Sequence, residues 1–415
     1  MEALPLFTAV FWICTAGVLY ASLGYPAVVW CLGRYLRRPP KTLRQADADV
    51  PSVSFVTVAH NEAARIGKRI DSALAVDYPA DKLEVLVICD GCSDATAAIA
   101  RAPRPGRVRV FELPSQVGKA AALTRGCAEA RHDIVVLADA RQSWGPETLR
   151  IMLENFADPS IGAVSGDVLL EKAPGVLAGV GLYYRFDKWL RDQESRFDSM
   201  VGVSGAVSAV RRRLFLPIPK GTILDDVYWP LRVVMQGYRV VLDDRARVYD
   251  HLPETPRDEF RRKIRTLSGN YQLIARLPAT LLPWRNPIWF QYVSHKIMRL
   301  LLPWMLLGML VSSLVLEAAV YRIAFWGQVA FHLAGLLGIC WKPAASRLRV
   351  VSVTASFLVL NAASWLGFWV WLSGRTSKSW VKAAYKTPAD PIGKPNGSAT
   401  NGAASEGQPA VKWTP

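Results

Sequence analysis

The sequence predicts an α/β domain built on a mostly parallel sheet and flanked by transmembrane helices. Three observations predict it. Between Val50 and Tyr249, short apolar runs rich in Val and Ile alternate with helical stretches, the rhythm of βα units in a covered parallel sheet. Apolar residues make up 51% of the chain, and they concentrate at Leu6–Leu32 and again from Ile297 to Leu372, in runs about as long as a bilayer-crossing helix needs. Basic residues flank those runs: Arg34, Arg37, Arg38, Lys41 and Arg44 follow the first, and Arg347 and Arg349 precede the last. By the positive-inside rule the central domain is expected in the cytoplasm, in a multi-pass protein of the inner (plasma) membrane.

Taken in order, residues 1–33 read as an uncleaved anchor, because a basic n-region is missing and the apolar run is too long for a signal sequence. Trp12, Tyr20, Tyr25 and Trp30 are its expected interface residues, and Pro26 its expected kink. A polar linker, 34–50, leads to the domain at 51–255. Its strands are expected at Val53–Val58, Leu83–Cys89, Val108–Leu113, Ile134–Ala138, Ile161–Leu170 and Arg239–Tyr249. Helices are expected from Asn61–Glu62 to Ala75, from an Asp94 cap to Ala100, and at Gly118–Arg131, Pro146–Phe156 and Val176–Phe197.

Residues 256–296 mix Arg257, Arg261, Arg262, Lys263 and Arg265 with Trp284, Trp289, Phe290 and Tyr292, the pattern of amphipathic helices lying among lipid headgroups. Three spans follow within 297–373. The last part, 374–415, is basic and then rich in Gly, Pro, Ser, Ala and Asn, a composition that favours disorder. Three spans after a cytoplasmic domain put the C-terminus outside, whereas Arg375, Lys378, Lys382 and Lys386 argue for inside.

The net charge of +16 raises nucleic acid as a partner, but membrane lipids account for it better, because the charge is spread along the chain and beside the spans. Cys89-Asp90-Gly91-Cys92 has the spacing of a redox pair or half a zinc site, yet no second pair or His-rich partner accompanies it.

The chemistry-bearing residues fall at the ends of the expected strands, where open α/β sheets bind ligands. The run Ile134–Leu137 ends in Asp139, with Arg141 two residues on. Asp90 ends the second strand and can accept from a nucleobase or a ribose hydroxyl. Asp94 can do the same or cap its helix, and Glu62 can meet the ribose or cap its own. Lys119 opens a helix, where its charge and the helix N-terminus both favour phosphate. Asp225-Asp226 are adjacent carboxylates, which raise one another's pKa and suit a general base.

In order and spacing, Ser54-Phe55-Val56-Thr57-Val58-Ala59-His60-Asn61-Glu62, Asp90-Gly91-Cys92-Ser93-Asp94-Ala95-Thr96, Gly118-Lys119-Ala120-Ala121-Ala122-Leu123, Asp139, Gly205 and Asp225-Asp226 resemble family 2 glycosyltransferases. The membrane arrangement is similar to that of the cellulose, hyaluronan and poly-N-acetylglucosamine synthases. The resemblance implies a GT-A nucleotide-sugar-binding domain. It also implies a nucleotide-sugar donor, expected to be a UDP-sugar, and inverting transfer with Asp226 as base beside Asp225. Glu62, Asp90, Asp94 and Lys119 would contact the donor, and Gly205 would lie beside the acceptor. Asp139 would be the ligand of a Mg2+ or Mn2+ cofactor, which keeps few protein ligands and is completed by substrate phosphates.

The sequence departs from that family twice. Arg141 replaces the second aspartate of the metal motif, and is expected either to contact the diphosphate or to pair with Asp139 at rest. Arg262-Lys263-Ile264-Arg265-Thr266 stands where processive members carry Gln-x-x-Arg-Trp, so Arg262 and Arg265 are candidate substrate contacts without the stacking Trp. Tyr271, or an aromatic of the Val176–Phe197 helix, is the candidate substitute. The expected product is a growing polysaccharide. Single addition to a lipid-linked acceptor is the alternative, and a catalytically silent membrane scaffold a weaker one.

Overall fold

The computed structural model describes residues 3–104, 108–170, 176–250, 256–341, 343 and 347–376. The C-terminal tail, with Lys378, Lys382 and Lys386, lies outside them. The domain forms an eight-stranded sheet in the order β3-β2-β1-β4-β7-β6-β8-β5. Its strands are β1 (Val53–Ala59), β2 (Leu83–Asp90), β3 (Val108–Leu113), β4 (Ile134–Asp139), β5 (Ser143–Trp144), β6 (Ile161–Leu170), β7 (Ser208–Arg211) and β8 (Arg239–Asp250). Strands β3, β2, β1 and β4 run parallel, while β7 is antiparallel to both β4 and β6. The sheet is therefore mixed. Neither β5 nor β7 is among the expected strands: two residues of β5 give no periodicity, and β7 runs straight into three arginines.

Strands β1, β2 and β4 are buried along nearly their whole length, which is why they read as apolar runs, whereas β3 at the sheet edge is only partly buried. One core packs α3 (Ala63–Leu74), α4 (Thr96–Arg101) and α6 (Thr148–Glu154) on one face through residues such as Ile66, Ile70, Ala97 and Leu149. The other packs α5 (Lys119–Glu129) and α8 (Asp225–Val234) through Leu123, Tyr228 and Trp229. Leu273, Leu277, Ile288 and Tyr292 join this second core, so the segment leading into the long apolar helices is packed on the sheet domain itself.

Four helices are long and apolar enough to cross a membrane: Leu4–Tyr35, Trp289–Val315, Ala319–Cys340 and Val350–Leu372. The first comprises α1 (Ala3–Leu19), a π-turn (Tyr20–Gly24) and α2 (Tyr25–Tyr35). Pro26 has no N–H to donate, and the preceding π-turn is closed instead by Tyr25 N donating to Tyr20 O. α7 (Val176–Phe197) packs against α2, and α9 (Pro256–Arg276) lies along α12 (Arg349–Leu372).

α10 (Met298–Val315) is entered through a single α-turn at Trp289–Gln291 and a second π-turn at Tyr292–Ile297. The helix thus starts well before Ile297, and its first turns, including His295 and Lys296, fall in the stretch expected to be interfacial. Charge at its start hid the helix from a hydropathy reading. α11 (Ala319–Cys340) joins it to α12.

Candidate active site

The sheet order reverses between β1 and β4, and the C-terminal ends of β1, β2 and β4 open one crevice there. Asp139 closes β4 opposite Val58 of β1. Its Oδ1 lies 2.8 Å from Lys119 Nζ, and the same ammonium is 3.6 Å from Asp225 Oδ2. Burial works against the Lys119 charge, but Asp139 and Asp225 more than offset it and push its pKa up. Lys119 therefore stays cationic.

Gly205 forms the wall of this cluster. A Cβ there would sit 3.1 Å from Lys119 Nζ and 3.9 Å from both Asp139 Oδ2 and Asp226 Cβ. Any side chain would fill the crevice. The N-terminus of α8 supplies Asp225, which is buried, and the half-buried Asp226. Burial and then the neighbouring Asp225 raise the Asp226 carboxyl to about 6. Asp225 is raised too, by burial first, with Lys119 pulling the other way. Lys119, Asp139, Gly205, Asp225 and Asp226, distant in sequence, thus meet around one small space.

The other expected contacts line the rim beside β1 and β2. Asp90 is buried, its Oδ1 accepting from Val117 N at 2.7 Å and its Oδ2 from Gly118 N at 2.9 Å. It fixes the turn that presents Lys119. Gly91 makes the return possible: its φ is +58°, and a Cβ would strike Gln116 N at 2.2 Å. Asp94 accepts from Thr96 N at 3.0 Å and from Ala63 N at 3.2 Å, so it ties together the starts of α4 and α3. Glu62 is the residue before α3, but its carboxylate pairs with Arg65 at 3.1 Å instead of capping the helix.

Arg141 does not pair with Asp139. Its Nε and Nη2 each lie 3.0 Å from the two oxygens of Asp250, at the end of β8, and Gln142 Nε2 donates to the same carboxylate at 2.8 Å. The β5–β8 pairing brings Asp250 alongside and out-competes Asp139, which Lys119 already holds. Arg262 is likewise engaged by Glu259, at 2.8 and 2.9 Å. The charge of Arg265, the other residue of α9 expected to meet substrate, lowers the Asp225 carboxyl slightly against burial.

The donor set suits a hard divalent cation only in a particular way. Among the described residues no group of three or more His, Cys, Asp or Glu side chains converges to hold a metal alone. Asp139 nevertheless presents a carboxylate at a point where a positive charge, that of Lys119, is already held. These residues fit a cation with one protein carboxylate, the remaining ligands being diphosphate oxygens and water.

Two features escape a sequence reading. Arg69 of α3 is 3% exposed, with its guanidinium 4.9 Å from the Phe55 ring and 5.4 Å from that of Trp144. It donates to Gln142 O at 2.9 Å and so braces the turn after Asp139; burial lowers its pKa to about 9. The second feature is a buried ionic network between α7 and the entry to α10. Asp187 accepts from Arg299 at 2.6 Å and contacts His295 Nε2 at 3.1 Å, while His295 Nδ1 is 2.7 Å from Glu194. Tyr25 of the first membrane helix donates to the same Glu194 at 2.5 Å. A His-Lys pair opening an apolar run was the available signal.

Residues 51–269 match the family described as glycosyltransferase like family 2. Poly-beta-1,6-N-acetyl-D-glucosamine synthase of Staphylococcus aureus is 24% identical over 293 residues, covering 66% of this chain and 65% of that protein. The Staphylococcus epidermidis synthase is 22% identical over 296 residues, with the same two coverages. The chain thus spans just under two thirds of these relatives. Among solved structures, the mannosyltransferase PcManGT from Pyrobaculum calidifontis, in complex with GDP-Man and Mn2+, is similar over 88% of this chain and 99% of its own, with a TM-score of 0.65 and 23% identity. That likeness carries the fold, which is GT-A-like and includes four helices long and apolar enough to cross a membrane.

Proposed function

Because the chain belongs to glycosyltransferase family 2, we propose that it transfers a sugar from a nucleotide-sugar donor, a UDP-sugar, to a growing polysaccharide at the inner membrane, with the catalytic domain facing the cytoplasm. The observation that carries this reading is the meeting of Asp139, Lys119 and the Asp225–Asp226 pair beside Gly205. A nucleotide-sugar transferase needs positive charge at a diphosphate and, next to it, a base for the incoming hydroxyl. Both are present.

In this reading Lys119 and the N-terminus of α5 bind the donor diphosphate. Asp139 holds Mg2+ or Mn2+, which supplies charge neutralisation on the leaving group when bound. The polysaccharide synthases and the Mn2+-bound mannosyltransferase that the chain is similar to support the substrate class and the metal. Asp226, its carboxyl raised to about 6, is ionised at neutral pH and still basic enough to take the acceptor proton as the hydroxyl attacks the anomeric carbon. Attack from the face opposite the diphosphate inverts the anomeric centre. Lys119 leaves Asp139 for the diphosphate as the donor arrives.

Thr266, standing where a stacking Trp serves the processive members, favours a second reading, a single transfer to a lipid-linked acceptor. Membranes containing the full chain, given a panel of nucleotide sugars, separate the two by product size. A polymer supports the first reading and a one-sugar extension the second. Absence of nucleoside diphosphate release with every donor and both metals would refute transfer altogether.

A further inference from the structure

α8 opens on the carboxylate pair, yet its start is not held by a side chain of its own. Leu224, the residue before it, makes no side-chain cap to the first free N–H groups of the helix, as a Ser, Thr, Asp or Asn would. The lead-in 219–224 carries no helix or strand, turns at Gly221 with φ +74°, and is exposed at Pro219, Lys220 and Gly221. Such a segment has little of its own to fix where Asp225 and Asp226 point. On one side Val203 N donates to Asp226 O at 2.8 Å. On the other, the support comes from α9.

Gly269, Gln272 and Arg276 recur at the three- and four-residue spacing that keeps side chains on one helix face, and that face meets the lead-in. A Cβ on Gly269 would lie 2.8 Å from Leu224 Cγ and 3.0 Å from Ile223 Cγ2, so the α9 backbone itself rests on the two residues before the pair. The Gln272 amide spans the turn. Its Oε1 accepts from Ile223 N and its Nε2 donates to Gly221 O, both at 3.0 Å. Arg276 Nη1 donates to Thr222 Oγ1 at 2.5 Å and to Pro219 O at 3.3 Å.

A support must itself be held, and α9 is. A Cβ on Gly367 of α12 would come 3.0 Å from Ser268 N and 3.2 Å from Leu267 Cβ, so these two helices touch almost backbone to backbone. Tyr271 stacks on Trp371 with ring centroids 5.9 Å apart, and its hydroxyl donates to Leu300 O at 3.1 Å. α9 is thus fixed to two of the long apolar helices while it grips the lead-in.

We infer that Gln272 and Arg276 are positioning residues for the reaction: by tying 219–223 to α9 they fix the start of α8, and through it the direction in which Asp226 meets the acceptor hydroxyl. Both act through the backbone and not on the reacting atoms. The inference rests on the assignment of Asp226 as the base and adds residues that this assignment does not include.

The test uses the full chain in nanodiscs and reads steady-state transfer beside hydrogen exchange of the segment 221–228. Gln272→Met keeps the length of the side chain and loses both bonds. It should lower kcat by about tenfold or more and change the donor KM by less than about twofold, because the base is misdirected while the donor keeps its contacts. Exchange across 221–228 should quicken by about tenfold, with the parallel strands unchanged. Arg276→Met should act in the same direction. Arg276→Lys should recover most of that loss, since a donor for Thr222 remains. Ala275→Ser, at an exposed position of the same helix, should change neither reading.

Unchanged exchange in both Met variants overturns the support by α9, whether or not the chain transfers sugar. A loss shared equally between kcat and donor KM, or faster exchange throughout the sheet, overturns the positioning role and leaves the two residues a part in general stability. Full activity of both Met variants overturns it as well. A parental chain that transfers nothing faults the catalytic reading, and exchange that quickens only across 221–228 then upholds the hold of α9 on the lead-in by itself.

Discussion

Arg141 grips Asp250 through two parallel contacts of 3.0 Å, and in doing so it leaves Asp139 with Lys119 as its ionic partner. The pair ties the turn after β4 to the end of β8. Side-chain exposure is 26% for Arg141 and 10% for Asp250, so removing the guanidinium takes the cation from a nearly buried carboxylate and leaves it the neutral Gln142 amide among its donors. Arg141→Ala is expected to cost about 2 kcal/mol, less than a fully buried pair because solvent screens part of it. Arg141→Asp, which restores the family's second aspartate on paper, should be worse, since the new carboxylate faces Asp250. Thermal unfolding in detergent checks both, and an Asp variant as stable as the parent would refute the tie.

Asp226→Asn keeps the shape of the site and removes the base. Donor binding should persist while transfer falls by about 10²–10⁴-fold. Single-turnover transfer read beside nucleotide binding distinguishes this outcome from misfolding. Near-parental turnover would remove Asp226 from the mechanism.

The same carboxyl sets a pH signature. Its proton stays on to about pH 6 in the folded chain, against a reference value of 3.8. Its contribution to stability is therefore fully present below the reference value and is lost as pH rises through about 6. Activity has the opposite sign, because only the ionised form accepts a proton. Transfer under donor saturation should fall by about tenfold per unit below pH 6 and level off above it. A flat profile between pH 5 and 7 would contradict this.

Gly205→Ala tests how closely the cluster is built. The new methyl lies 3.1 Å from Lys119 Nζ, and the flexible lysine end has to move away from Asp139. Because the clash is with a side-chain tip, stability should change by less than about 1 kcal/mol. kcat/KM should drop by about 10²-fold as the methyl narrows the space between Lys119, Asp139 and Asp226 that the donor has to enter. A kinetically silent variant would show that the crevice does not need a bare backbone at this position.

Tyr25→Phe cuts the tie between the first membrane helix and Glu194, which is fully buried. Loss of one charge-assisted bond with His295 retained should cost about 1–2 kcal/mol of unfolding free energy. An unchanged unfolding midpoint would count against this tie.

Much of this was legible before any coordinates. Buried parallel strands read as Val- and Ile-rich runs because both faces are covered, and Asp90 and Asp139 stood out as acids at the ends of such runs. Lys119 and Asp226 could be placed because a helix start is local information. The partners were not legible. Asp250, 109 residues from Arg141 along the chain, reaches it only through the β5–β8 pairing, and β5 is two residues long. The entry to α10 was misread because hydropathy averages a charged first turn with the loop before it. Arg69 carries no signal of its role in the sequence, because the aromatic rings of Phe55 and Trp144 that enclose it lie on other elements.

The π-turn at Tyr292–Ile297 works as a rotational offset between the two halves of a membrane helix. Each residue of α-helix advances the face by about 100°, so the extra residue in a wide turn decouples the direction in which Ser294 and His295 point from that of the lipid-facing side chains beyond Met298. Bilayer insertion constrains the one half, and contact with the catalytic domain constrains the other. Deleting a single residue from this turn would leave hydrophobicity and length almost untouched while swinging the charged face out of phase with the active site. The span would remain a good membrane helix that no longer points at the chemistry.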